Sequence, residues 1–160
     1  MSDPQNSAEP NKIHIIALKP YGQSIGFMLK EWAKNENVQI HELDSPLQVF
    51  TALKKTMSGL VMIHVADKNM VAIQLNMLKQ MGGFIKSNLV RVLASTDLKN
   101  DLLQRKLREG GVFEIINEPI SEKAISFKMG RYLSHFERKI KQSSQQQDGK
   151  AKRGFGKNEV

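Results

Sequence analysis

Gly59-Leu60-Val61-Met62-Ile63-His64-Val65 is an unbroken apolar run that reaches a histidine only near its end. A strand with one wetted face would alternate polar and apolar residues. This run does not, which suits a strand buried on both faces at the centre of a parallel sheet covered by helices. His64 then lies at the carboxyl end of the most central strand. In open α/β sheets ligands bind outside that edge, so the residues placed there are the first candidates for function.

Working outward from this strand, Lys12 to Ala17 is a short β-branched run and reads as the first strand. Pro20 is suited to open a helix through Asn35, because its missing N–H would have no intrahelical partner there. Ile25, Met28, Leu29 and Trp32 line one face of that helix. Val38 to Leu43 alternates and reads as an edge strand. Asp44 or Ser45, followed by Pro46, caps a helix to about Met57 with Val49, Phe50 and Leu53 inward.

After the central strand, Met70 to Met81 places Met70, Ile73, Met77, Leu78 and Met81 on a helical face, and Gly82-Gly83 ends it. These methionines suit an adaptable partner surface or, more simply, an irregular core. Leu89 to Ala94 is a fourth strand. Asp97 to Glu109 is a helical connection carrying Leu98, Leu102, Leu103 and Leu107, stopped by Gly110-Gly111. Val112 to Ile116 is the fifth strand, and Ser121 caps a last helix that carries Ala124, Ile125, Met129 and Leu133 to about Gln142. Five strands alternating with five helices require parallel pairing through right-handed crossovers. The expected fold class is therefore α/β, a doubly wound five-stranded parallel sheet with helices on both faces.

With 160 residues the chain has room for one domain of roughly 130 residues and two tails. The expected division is a disordered segment over 1–11, a domain over 12–142, and a disordered basic tail or linker over 143–160, which is rich in Gln, Gly, Lys and Ser. There is no cysteine, which excludes disulfides, thiolate metal sites and thiol nucleophiles together. Met1 to Asn11 has neither a basic start nor an apolar core, so it does not read as a signal peptide. No apolar run approaches the ~20 residues of a membrane helix, and the expected location is the cytoplasm. The formal charge is +8, but from Arg138 onward seven Lys or Arg face two acids, Asp148 and Glu159. Most of the excess thus lies at the end of the chain, and the domain itself is only mildly basic.

Gly111-Val112-Phe113-Glu114-Ile115-Ile116-Asn117-Glu118-Pro119-Ile120-Ser121 resembles the last strand and turn of the bacterial response-regulator receiver domain. That family typically reads Gly-Ala-Asp-Asp-Tyr-Leu-Val-Lys-Pro-Phe-Ser there. Similarly, Lys12-Ile13-His14-Ile15-Ile16-Ala17-Leu18-Lys19-Pro20 resembles the family's opening strand, Lys-Ile-Leu-Ile-Val-Asp-Asp-Asp-Pro. The resemblance covers roughly residues 12 to 142 in order and length. It implies the flavodoxin-like strand order 2-1-3-4-5 and a cis peptide at Glu118-Pro119.

The resemblance also implies where a receiver's chemistry would lie. The acidic pair that holds Mg²⁺ corresponds to Ala17 and Leu18, the phosphoacceptor aspartate to His64, and the lysine before the proline to Glu118. The switch aromatic corresponds to Ile115. The small hydroxyl residue corresponds to Ser95, or to Ala94 if the alignment slips by one. Without the acids Mg²⁺ has no hard oxygen ligands and a phosphoryl group no neutralising cation, so neither aspartyl phosphorylation nor a metal nor a cofactor is expected.

His64 has two readings: a phosphohistidine or metal ligand, or a residue that fills the vacant acid pocket and hydrogen-bonds a neighbour. With no second His or acid at ligand spacing, the chemistry favours the latter. Glu118 either meets His64, which would reverse the family's polarity across the pocket, or points into solvent. His14 and His41 read as core-edge or surface residues, and His135 as a solvated helix position. No Gly-rich phosphate loop follows the first strand, and no nucleophile, base and oxyanion donor assemble.

The expected function is a non-catalytic, phosphorylation-independent signalling or scaffold module, a pseudo-receiver that binds a protein partner or a second copy of itself. The family pairs most often through its fourth helix, fifth strand and fifth helix. Mapped here, that face implies Arg105, Arg108, Ile115, Lys123, Lys128 and Arg131 as partner-binding residues. The alternative is nucleic-acid or anionic-surface binding through Lys150-Ala151-Lys152-Arg153-Gly154-Phe155-Gly156-Lys157, where cations interleave with one aromatic.

Overall fold

The computed structural model describes residues 12–19 and 23–138. Five strands, β1 (Ile13–Leu18), β2 (Val38–Leu43), β3 (Gly59–Val65), β4 (Val90–Thr96) and β5 (Glu114–Asn117), form one sheet in the order β2-β1-β3-β4-β5. Every neighbouring pair is parallel. The order places β3 in the middle, and all of it but His64 is buried. The expected doubly wound α/β sheet is what the chain forms.

Each crossover is a helix that sends one apolar stripe to the sheet. Helices α1 (Gln23–Ala33) and α6 (residues 122–138) cover one face, where Ile25, Leu29, Ile125, Met129, Tyr132 and Phe136 pack on Ile13, Ile15, Leu60, Met62 and Leu93. On the other face α2 (Pro46–Thr56), α3 (Met70–Gln80) and α5 (Asp101–Glu109) pack Val49, Leu53, Met77, Leu78, Leu103 and Leu107 on Ile16, Val61, Ile63 and Val92. Burying one such side chain contributes about 1.5–3 kcal/mol, so these two layers supply most of the stabilisation.

Helix starts follow side-chain capping. Ser45 caps α2 in a reciprocal box with Gln48, and Pro46 occupies the first turn. Asn100 Oδ1 accepts from Leu103 N at 3.0 Å to start α5, so residues 97–100 are not helical as the leucine pattern suggests. Ser121 Oγ accepts from Ala124 N at 3.1 Å, as its position predicts. Pro20, Tyr21 and Gly22 lie outside the described residues, as do 1–11 and 139–160 with both expected tails.

Three packing expectations are corrected. Ile73 and Leu102 are exposed, and α3 turns Val71 and Gln74 inward instead. Gly82-Gly83 does not end the helical path, because α4 (Gly82–Lys86) follows at once, with Phe84 and Ile85 packing on the core. His135 is half-buried, its ring edge-on to Phe136 at 5.2 Å.

Candidate functional site at the carboxyl edge of the sheet

Parallel register brings three separate strand ends together. His64 pairs with Ser95 across β3 and β4, and Thr96 pairs with Asn117 across β4 and β5, which leaves Glu118 as the next residue. Glu118 N donates to Thr96 O at 2.8 Å and fixes the chain where it leaves the sheet. Glu118-Pro119 is a cis peptide. The register, with Ala94 opposite Ile63, puts Ser95 and not Ala94 beside the histidine.

His64 Nδ1 lies 2.8 Å from Ser95 Oγ and 3.5 Å from Glu118 Oε1. Ser95 is fully buried. Nδ1 has a single in-plane hydrogen-bonding direction, and the short contact to the hydroxyl takes it. Glu118 Oε1 is buried without a hydrogen-bond partner among the described residues, so it faces the imidazole as a Coulombic neighbour. The carboxylate thus sits just past the last strand and the nitrogen base near the end of the central one.

Serine, histidine and a carboxylate in one pocket invite comparison with a hydrolytic triad. In a triad the hydroxyl and the carboxylate bind opposite ring nitrogens, so that one orients the ring while the other gives up its proton. Here both approach Nδ1, and the hydroxyl is closed off from any substrate.

Sequence inspection misses Gln74. It is 3% exposed, and its Nε2 donates to His64 O at 2.8 Å, tying α3 to the end of the central strand. The clue is its place on the Val71, Met77 and Leu78 stripe. Thr96 Oγ1 ties the next rung by donating to Val65 O at 2.8 Å.

A hard divalent cation would need carboxylate oxygens at the end of β1. Ala17 is fully buried in the core and Leu18 packs against it. Lys19 turns to Glu42 and Asp44, at 3.7 and 3.9 Å. Asp97 and Glu118 line the cavity beyond this edge, and among the described residues no three His, Cys, Asp or Glu side chains cluster as a metal site. The residues present do not fit Mg²⁺.

No protein-family model matches the chain, and no curated protein matches it in sequence. Solved structures do match. A response regulator from Thermotoga maritima superposes with a TM-score of 0.61 at 12% identity, over 77% of this chain and 98% of that one. An orphan response regulator of H. pylori gives 0.54 at 21% identity, over 78% and 99%. An atypical orphan response regulator, whose structure revealed a phosphorylation-independent regulatory mechanism, gives 0.54 at 16% identity, over 76% and 96%. The chain has the receiver-domain fold.

On the receiver fold the partner face inferred from sequence comprises α5, β5 and α6. Arg105, Arg108, Lys123 and Arg131 are exposed there. Two of the expected contacts are not available. Ile115 is 7% exposed and packs in the core opposite Ala94, because it points inward from an edge strand. Lys128 is committed to Glu114, whose carboxylate also accepts from Tyr132 Oη at 2.5 Å.

Burial works to raise the Glu114 pKa, but the Lys128 and Tyr132 hydrogen bonds and the Lys128 and Arg131 charges outweigh it. The carboxyl is held below its usual range. Burial, then the Glu114 bond and charge, push the Tyr132 hydroxyl up. No helix among the described residues is long and apolar enough to cross a membrane.

Proposed function

We propose that residues 12–142 form a pseudo-receiver, a non-catalytic cytoplasmic signalling or scaffold module that communicates by binding a protein partner, independently of phosphorylation. One observation carries the reading. At the strand ends that correspond to a receiver's phosphate site stand Ala17, Leu18, His64, Ser95 and Glu118, and the Glu118 carboxylate already faces the His64 imidazole. An incoming phosphoryl group would meet Glu118 and no cation clamp, and like charges repel strongly at so little exposure. The exposed cations of α5 and α6, Arg105, Arg108, Lys123 and Arg131, supply contacts for an acidic partner surface, on another protein or a second copy of this chain.

The test is a titration of the full chain with beryllofluoride and Mg²⁺ followed by amide NMR. Unmoved resonances at Ala17, His64, Ser95 and Glu118 are expected. Saturable shifts confined to those four strand ends would overturn the reading.

A further inference from the structure

At the opposite, amino-terminal edge of the sheet, β5 and α6 enclose a groove of ≈ 560 Å³. That volume is within the ordinary range of ligand sites, about 300–1,000 Å³. Arg91, Lys128, Arg131 and Arg138 line it, with Glu114 as its lone acid among the described residues. Glu114 is already engaged by Lys128 and Tyr132, so the field left over is cationic.

Aromatic rings lie among these cations. The Arg91 guanidinium sits 4.1 Å over the Phe113 ring and 5.9 Å from Tyr132, and Phe113 meets Tyr132 edge-on at 5.9 Å. Phe113 is nevertheless 55% exposed, and Phe127, one turn before Arg131, is 68% exposed. The Arg91–Phe113 stack contributes modestly to stability, but two largely exposed phenyl rings forgo most of the gain of burial. They present flat surfaces flanked by charge.

We propose that this groove binds single-stranded nucleic acid, a function beyond the protein-partner reading, with which it shares only Arg131. Arg131 and Arg138 would contact phosphates and Phe127 would stack a base, with the Arg91–Phe113 stack forming the charged wall beside it. Proteins that hold single strands without reading sequence combine these two elements, a basic channel and aromatic platforms. An acidic protein segment would satisfy the arginines, whereas flat exposed rings beside cations suit nucleobases, each of which has a π-face. In the sequence Arg138 is followed by Lys139 and Lys141, so the run of basic residues continues past the described ones.

The experiment is fluorescence anisotropy of a labelled oligothymidylate of about 15 nucleotides with the full-length protein across a salt series. Phe127→Ala is expected to weaken binding at least about fivefold, since a stacked base is worth about 1–3 kcal/mol. The double variant Arg131→Ala and Arg138→Ala should flatten the log–log salt slope by about 1.4, roughly 0.7 per phosphate contact. Circular dichroism confirms that each variant is folded. Arg105→Ala with Arg108→Ala, on the neighbouring helix, should leave both quantities unchanged.

Absence of binding near 50 mM salt overturns the proposal. So does binding lost only in the tail variant Lys150→Gln, Lys152→Gln and Lys157→Gln, or lost equally in the Arg105 and Arg108 control. A labelled polyglutamate peptide that binds as tightly as the oligonucleotide, with no effect of Phe127→Ala, would assign the groove to acidic proteins instead.

Discussion

His64 Nδ1 and Glu118 Oε1 face each other at 3.5 Å, with side chains only 11% and 20% exposed. A base and an acid so placed tolerate each other, whereas two acids would not. His64→Asp is expected to cost about 1–3 kcal/mol at pH 7 in urea denaturation, because one carboxyl must take up a proton or leave. The loss should shrink towards pH 5, where a shared proton becomes available. His64→Asn, neutral and able to bond Ser95, serves as the reference; equal stabilities of the Asp and Asn variants at pH 7 would contradict the contact.

Gly59 opens the central strand at φ 149°, and a Cβ there would sit 2.6 Å from His14 O. The obstacle is backbone of the neighbouring strand and cannot swing aside. Gly59→Ala should therefore cost about 2–4 kcal/mol, combining strain with forced separation of β1 and β3. Hydrogen exchange should show Ile15 and Leu60 deprotected first. A variant within ~0.5 kcal/mol of the parent would show that the strands part easily.

Glu114 gives a pH dependence of known sign. Its folded pKa lies below the ordinary 4.5, so the stability it contributes is present above that value and is lost as pH falls through the folded pKa. Glu114→Gln should cost about 1 kcal/mol near neutrality, after discounting for its partial exposure. The variant should also lose part of the acid-induced decline in melting temperature. An unchanged acid limb would mean that Lys128 and Tyr132 do not hold the carboxylate in solution.

His14 Nδ1 and His41 Nε2 are 3.0 Å apart, close enough that one ring donates and the other accepts. Two imidazolium rings cannot share that contact. Burial already lowers the His41 pKa from 6.5, so the unfolded chain takes up a proton that the folded chain resists. Stability is full above about pH 6.5 and declines as pH falls through the folded value. Urea midpoints at pH 7.5 and 5.5 should differ more for the parent than for His41→Gln. A parent and variant that decline in parallel would rule this out.

How much of the fold can be read from sequence depends on whether polar residues interrupt it. Gly59–Val65 coincides with its reading because every position but His64 is apolar and no other register competes. β4 runs to Thr96, past the apolar end at Ala94. Ser95 and Thr96 remain inside because His64 and Val65 O take their hydroxyls. Likewise α3 presents Gln74 to the core and Ile73 to solvent, since the amide has a carbonyl to reach and the apolar count alone does not show it. The resemblance locates His64, Ser95 and Glu118, but their distances are consequences of sheet register. The cationic groove has no local signature at all, because Arg91, Phe113 and Tyr132 meet only after β4, β5 and α6 have packed.

The complete burial of Ala17 also sets a limit on redesign. A lone aspartate introduced there would strand a charge in hydrocarbon, and a lone lysine in place of Glu118 would set a cation against the His64 imidazole. Engineering a cation site at this edge therefore requires several substitutions made together, because each taken singly destabilises the fold.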